Sequence, residues 1–298
     1  MYAARTMRER PNLLLTIVAV LAATAACNTS ANESRQHTNI GIDNLNAKAY
    51  SPAQKEFEQA LTLDPENDIA AYSLGEVFTR QNKWDRAVDP LLQAIKHNDK
   101  SARYHFKLGE TYYHLEKYDM SRSELERTIA LEKNYYMAHW LLGRIDYRDE
   151  KVKEAAEQWT EACRLDPHFG KPFFDLGKLY YEWGDMSRAV TVLEQGAQYV
   201  KDPEDLTNIS YMLGLAYDQL GQFDKSAKAY EAALEAKKDN MEARLQLGLA
   251  YYNKGDFKQA QKYLDEFVRL GGGGNSFNIS AANDRLSKMM VAPNIVPH

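Results

Sequence analysis

Few side chains in this sequence have the type and spacing for catalysis. His105 and His139 lie 34 positions apart in one repeating column, and two imidazoles at equivalent places could share a metal. Zinc sites take three or four ligands, and no third ligand falls in phase, so no metal is expected. The two cysteines, Cys27 and Cys163, are too few for a disulfide framework. Cys163 falls on the apolar face of a helical stretch and reads as a buried structural thiol. The sequence has no Gly-rich phosphate loop, no nucleophile elbow and no metal-binding helix motif. These residues predict no catalytic centre, no cofactor and a protein that is not an enzyme.

The elements that would position any site follow a strict period. Leu-Gly pairs recur at Leu74-Gly75, Leu108-Gly109, Leu142-Gly143, Leu176-Gly177, Leu213-Gly214 and Leu247-Gly248, with glycine spacings of 34, 34, 34, 37 and 34. Phe78, Tyr112, Asp146, Tyr180, Tyr217 and Tyr251 hold one later column. Ala87, Ser121, Ala155, Ala189, Ser226 and Ala260 hold the next, and Leu91, Leu125, Trp159, Leu193, Tyr230 and Leu264 follow four residues on. Small residues let two helices cross closely, and the large apolar column fills the space beside the crossing. Asp64-Pro65, Asp166-Pro167 and Asp202-Pro203 are expected to stop second helices, because the residue before a proline is driven from the helical region. Gly184, Gly221 and Gly255 fall in the tight turn between paired helices, where a left-handed backbone favours glycine.

This pattern resembles the tetratricopeptide repeat (TPR) over residues 34–274. The resemblance implies an all-α, right-handed α-solenoid of about seven helix-turn-helix repeats, at about 34–67, 68–101, 102–135, 136–169, 170–206, 207–240 and 241–274. The first is degenerate, with Gly41, Ala53, Phe57, Ala60 and Pro65 in phase but a polar first helix, as a terminal cap can be. The three extra residues near 199–206 are expected to lengthen the fifth repeat's second helix or the loop after it. Residues 275–298 read as a capping helix, Ile279 to Val291, and a tail.

The N-terminus reads as an address. Arg5, Arg8 and Arg10 precede an apolar run from Leu13 to Ala23 and the small residues Ala22 to Ala26, the layout of a secretory signal peptide over residues 1–26. The stretch from Leu13 to Ala26 is 14 residues, short of the about 20 that a spanning helix needs. Cys27 directly follows Thr24-Ala25-Ala26, which resembles the lipobox of bacterial lipoproteins and implies lipidation at Cys27. Thr24 stands where that family usually has Leu. Cleavage after Ala23-Thr24-Ala25 is the alternative and would leave Cys27 unmodified. Residues 27–33 are expected to be a flexible tether.

The resemblance also implies which positions face an inner groove. They are Tyr72, Phe106, Trp140, Phe174 and Tyr211 in one column and Tyr113, Tyr147, Tyr181 and Tyr252 in another. Arg103, Lys107, Arg144, Arg148, Lys171 and Lys178 lie between them, with Glu76, Glu110 and Glu182. Aromatic and Arg side chains anchor binding hot spots, so a peptide with apolar and acidic residues would suit this surface. Generic packing is the competing reading for the aromatic columns, and solvated charge for the basic residues. The family's clamp for chaperone C-termini needs Lys and Asn where this chain has Tyr72/Glu76, Phe106/Glu110, Trp140/Arg144 and Phe174/Lys178, so that partner is not expected.

A net charge of −5 gives no basic footprint for nucleic acid. The expectation is therefore a non-catalytic protein- or peptide-binding scaffold of the cell envelope, an outer-membrane lipoprotein facing the periplasm. In plan it resembles the pilotin lipoproteins of type IV pili, which implies a part in assembling an envelope machine. The alternative is a soluble periplasmic or secreted adaptor regulating a peptidase or peptidoglycan enzyme.

Overall fold

The computed structural model describes residues 29–271, 274 and 276–291. The expected signal peptide, its cleavage site and Cys27 lie outside the described residues, as does the tail from Pro293 to His298. Among the described residues the only extended elements are helices, and the chain divides into two compact units at Lys133/Asn134. The N-terminal unit holds α1 (residues 29–46), α2 (Tyr50–Leu63), α3 (Asp68–Arg80), α4 (Trp84–His97), α5 (Ala102–His114) and α6 (Tyr118–Leu131). The C-terminal unit opens with α7 (Tyr136–Arg148), α8 (Val152–Leu165), α9 (Gly170–Glu182) and α10 (Met186–Tyr199). It continues with α11 (Pro203–Gln219), α12 (Phe223–Ala236), α13 (Met241–Lys254), α14 (Phe257–Arg269) and α15 (Ser276–Val291). Each unit is a stretch of all-α helical-repeat solenoid, with an odd-numbered first helix and an even-numbered second helix in each pair.

The repeat glycines sit where paired helices touch. A Cβ on Gly143 would lie 2.5 Å from Trp159 Nε1, and one on Gly75 would lie 2.6 Å from Leu91 Cγ. Gly41, Gly109, Gly177, Gly214 and Gly248 meet Phe57, Leu125, Leu193, Tyr230 and Leu264 in the same way. Those partners are the large apolar column, and all are buried.

Every turn between paired helices uses one backbone device. The residue seven past the repeat glycine is left-handed: Lys48 (φ 58°), Asn82 (57°), Glu116 (59°), Glu150 (60°), Gly184 (78°), Gly221 (67°) and Gly255 (86°). After α3, the Lys83 N–H reaches the Phe78 carbonyl at 2.9 Å and the Asn82 N–H the Thr79 carbonyl at 3.0 Å. These paired bonds satisfy carbonyls that the helix end leaves open. Only three of these turns carry the glycine that the geometry favours.

Three expectations are corrected. Residues 29–33, read as tether, already belong to α1. That helix is polar because it buries hydroxyls with partners. Ser34 donates from Oγ to the Ala60 carbonyl at 2.8 Å, and Asn67 Nδ2 donates to Ser34 Oγ at 2.8 Å and Thr38 Oγ1 at 3.0 Å. Second, the extra residues of the fifth repeat do not extend α10, which has the usual 14 residues, or the loop after it; they lengthen α11 to 17. Third, Asp202-Pro203 starts a helix instead of stopping one. Asp202 accepts from the Glu204 and Asp205 N–H groups with Pro203 at the first position, where its missing N–H is no loss. Asp64 and Asp166 do end α2 and α8 in extended conformation.

The capping helix forms. Ala282 and Leu286 of α15 join Leu245, Leu264 and Phe267 in one buried cluster, with Ile279 and Met289 half-buried beside them.

Candidate functional site

In the N-terminal unit the groove column is closed by its own side chains. Tyr72 on α3 is 5% exposed, and its ring stacks on Tyr104 of α5 at 4.8 Å. The Arg103 guanidinium lies 4.7 Å from the Tyr72 ring centroid and donates from Nε to Tyr72 Oη at 2.8 Å. Glu76 sits 3.5 Å from Arg103 and 2.6 Å from Arg80. Phe106 is buried, and Lys107 bonds Glu110 at 2.6 Å. Tyr113 packs edge-on to Tyr118 at 5.7 Å. Burial raises the Tyr104 pKa, reinforced by Asp68, whose Oδ2 accepts its hydroxyl at 3.1 Å.

In the C-terminal unit the same columns border an open cleft of about 740 Å³ spanning α7, α9 and the start of α11. Trp140, Arg144, Lys171, Phe174 and Asp175 line it, with Asp205 and Asn208 opposite. Trp140 Nε1 donates to Asp175 Oδ2 at 2.7 Å, which fixes the indole across two helices. Lys171 lies 5.0 Å and Arg144 5.4 Å from the Trp140 ring centroid, and Phe169 meets it edge-on at 5.4 Å. Cations over an indole face are drawn to its negative quadrupole. Burial pushes the Asp175 carboxyl above its ordinary range, opposed by the Trp140 bond and then by the Arg144, Lys178 and Lys171 charges. Further along α7 and α9, Tyr147 donates to Glu182 Oε2 at 2.6 Å, Lys178 lies 3.7 Å from Glu182, and Arg148 bonds Asp149 at 2.9 Å. Tyr181 accepts from Gln219 at 3.5 Å.

The structure thus brings Trp140, Arg144 and Phe174 into one cleft. Tyr147, Arg148, Lys178 and Tyr181 lie further along the same two helices, while Tyr72, Arg103, Phe106, Lys107, Glu110 and Tyr113 belong to the N-terminal unit. Sequence reasoning missed Asp175, Asp205 and Phe169. Lys171, Asp175 and Lys178 at helical i, i+4 and i+7 spacing carried a signal, since such residues share a face. Asp205 carried none, because it enters only through the lengthened α11.

The histidines do other work. His105 is buried, hydrogen-bonded at Nδ1 to Glu124 Oε2 (2.7 Å) and at Nε2 to the Asp99 carbonyl (3.1 Å). His139 reaches Gln158 Oε1 at 2.7 Å, and His37 reaches Glu56 at 2.7 Å. Each ties the first helix of its pair to the second. Among the described residues no cluster of three or more His, Cys, Asp or Glu could hold a metal, and no helix is long and apolar enough to cross a membrane.

Comparison with known proteins fits this architecture. The family described as tetratricopeptide repeat matches residues 106–168 and 211–275, and that of anaphase-promoting complex, cyclosome, subunit 3 matches 46–128. Human protein O-mannosyl-transferase TMTC2 is 29% identical over 113 residues, which are 35% of this chain and 13% of that protein. The chain therefore spans only a small part of that relative. Among solved structures, Pseudomonas aeruginosa PilF superposes with a TM-score of 0.61 at 16% identity, over 72% of this chain and 97% of that one. PilW, described as a widely conserved type IV pilus biogenesis factor, gives 0.59 at 17%, over 71% and 96%. YrrB, described as a TPR protein with an unusual peptide-binding site, gives 0.53 at 17%, over 65% and 97%. At such identities these structures speak for fold alone. Matched repeats, in-phase glycine crossings and a common turn device together place the chain in the tetratricopeptide-repeat family.

Proposed function

We propose that the chain is a non-catalytic scaffold of the bacterial envelope, anchored through a lipid on Cys27, that holds a peptide segment of a protein partner along α7, α9 and α11 during assembly of an envelope machine. The observation that carries the binding part is the cleft itself, where Trp140 is fixed by Asp175 beside Arg144 and Lys171. An indole held across two helices is a low-entropy anchor for an apolar side chain, and the flanking cations suit neighbouring carboxylates. The envelope part rests on the basic, apolar and small-residue order of residues 1–26 and on Cys27, together with fold likeness to PilW, described as a type IV pilus biogenesis factor.

Pull-down of the native partner tests the cleft. Arg144→Glu should reduce capture while circular dichroism stays unchanged, and undiminished capture would move the site elsewhere. Metabolic labelling with a palmitate analogue tests the anchor. Label should enter the wild type and not Cys27→Ala; an unlabelled wild type would favour the soluble exported adaptor.

A further inference from the structure

A second opening in the C-terminal unit differs in character from the peptide cleft. It lies between the second helices α8 and α10, floored by α9, and has a volume of about 500 Å³. Pockets of this size, mostly apolar with a few convergent polar groups, are the usual form of small-ligand sites. Its wall is apolar, from Phe173, Leu176, Tyr180 and Val192 with Cys163. Arg164 and Arg188 stand at its rim, and no carboxylate is among the described residues lining it.

Comparison of the repeats shows how the opening arises. Four residues before the repeat glycine, three other repeats place His37, His105 and His139, each bonded to a polar partner on the next helix, Glu56, Glu124 or Gln158. In the fifth repeat both members change together, to Phe173 and Val192. A polar tie becomes an apolar wall. Twenty residues after the glycine stand Leu61, Ile95, Ile129, Leu234 and Val268, whereas the fourth repeat carries the smaller Cys163 and the fifth Ala197. Fewer side-chain atoms there leave space that the stack does not fill. Burial pushes the Cys163 thiol up to about 12, so it lines the wall as a neutral group. Seventeen after the glycine stand Glu58, Glu126, Glu194, Glu231 and Asp265, but Leu92 in the second repeat and Thr160 in the fourth. That exchange removes a carboxylate from the rim.

The two arginines are held in place. Arg164 forks onto Glu161 with bonds of 2.8 and 2.6 Å, and Arg188 donates from Nε to Asp185 at 2.6 Å with its guanidinium 4.6 Å from the Tyr180 ring centroid. Both remain more than half exposed. The equivalent opening between α12 and α14 also has apolar lining, from Leu234, Leu247 and Tyr263, but adds Glu231, Glu235, Lys238, Arg244 and Lys262, charges of both signs.

We propose that the pocket between α8 and α10 binds an aliphatic carboxylate, its chain against Phe173, Leu176, Tyr180 and Val192 and its anionic head at Arg164 and Arg188. Apolar burial supplies affinity in proportion to chain length, and charge-assisted bonds from guanidinium select the head. This site is independent of the peptide cleft.

Isothermal titration of the full chain with decanoate, decanol and decyltrimethylammonium tests it. Decanoate should saturate a single site about tenfold or more tighter than the cationic analogue, equivalent to one charge-assisted bond. Thr191→Trp, a change on the exposed rim, should abolish that binding with the melting temperature unchanged. Arg164→Gln with Arg188→Gln should weaken decanoate and leave decanol unaffected. Equal binding of decanoate and decyltrimethylammonium would overturn the proposal, as would full decanoate binding to Thr191→Trp.

Discussion

The same repeat columns do different work in the two units. In the N-terminal unit Tyr72 and Phe106 are buried, and Arg103, Glu76, Lys107 and Glu110 satisfy one another over them. In the C-terminal unit Trp140 and Phe174 stay only half-buried beside a cleft. The difference comes from what the next helix contributes. The lengthened α11 begins at Pro203 and brings Asp202, Glu204 and Asp205 to the cleft's edge, while α5 brings Tyr104 and Arg103 directly onto Tyr72. An aromatic column is therefore a framework whose exposure is decided by its neighbour.

Substitutions at one helix crossing of each unit should give the largest contrast. A methyl at Gly143 meets the rigid Trp159 indole at 2.5 Å, whereas one at Gly109 meets the flexible Leu125 at 3.0 Å. Gly143→Ala should lower stability by about 2–3 kcal/mol in urea melts through overpacking. Gly109→Ala should fall within about 1 kcal/mol of wild type, because the helix-propensity gain offsets the squeeze. Equal losses would mean that the crossings are equivalent.

A smaller effect should follow from the ties between paired helices. Tyr230 is fully buried and donates to Asp218 Oδ2 at 2.7 Å, while Asp218 Oδ1 is buried without a partner. Tyr230→Phe should destabilise the chain by about 1.5 kcal/mol, measured in urea, because a buried carboxylate loses a donor. No loss would show that this tie adds nothing to the crossing.

The turns contrast the units by about 1 kcal/mol each. All three turns of the N-terminal unit place a non-glycine residue at positive φ, against one of four in the C-terminal unit. Glu116→Gly should therefore raise the urea midpoint and Gly184→Ala should lower it. A loss for Glu116→Gly would show that the Glu116 side chain outweighs its backbone strain.

The smallest effect is a pH slope. Burial raises the Asp175 carboxyl in the folded state, so just above the ordinary carboxylate range the folded chain keeps a proton that the unfolded chain has released. Asp175 thus contributes a stability that is greatest at low pH and declines as pH rises through that window. Asp175→Asn should flatten the decline in thermal melts recorded from pH 3 to 7, a span set by the usual carboxylate range. An unchanged slope would place the titration elsewhere.

Most of the architecture was legible because crossings demand small residues at fixed intervals, and Gly75 through Gly248 announce them. The start of the first helix was not, because its first buried groups are the hydroxyls of Ser34 and Thr38, which carry no apolar periodicity. The helix start at Asp202-Pro203 was misread because the same dipeptide can end one helix or cap the next, and only the Asp202 bonds decide. At the site, the aromatic and basic columns were visible. Which of them stay open depends on side chains from a neighbouring repeat, and no single repeat's sequence encodes that.

The closing helix α15 has a consequence for assembly. Leu245, Leu264 and Phe267 form a face on which a further repeat could continue, and in an open-ended array the first repeat of another copy would be a natural occupant. By seating Ala282 and Leu286 there, α15 replaces that intermolecular docking with an intramolecular one. With that face covered, this surface is not open to end-to-end docking of another copy.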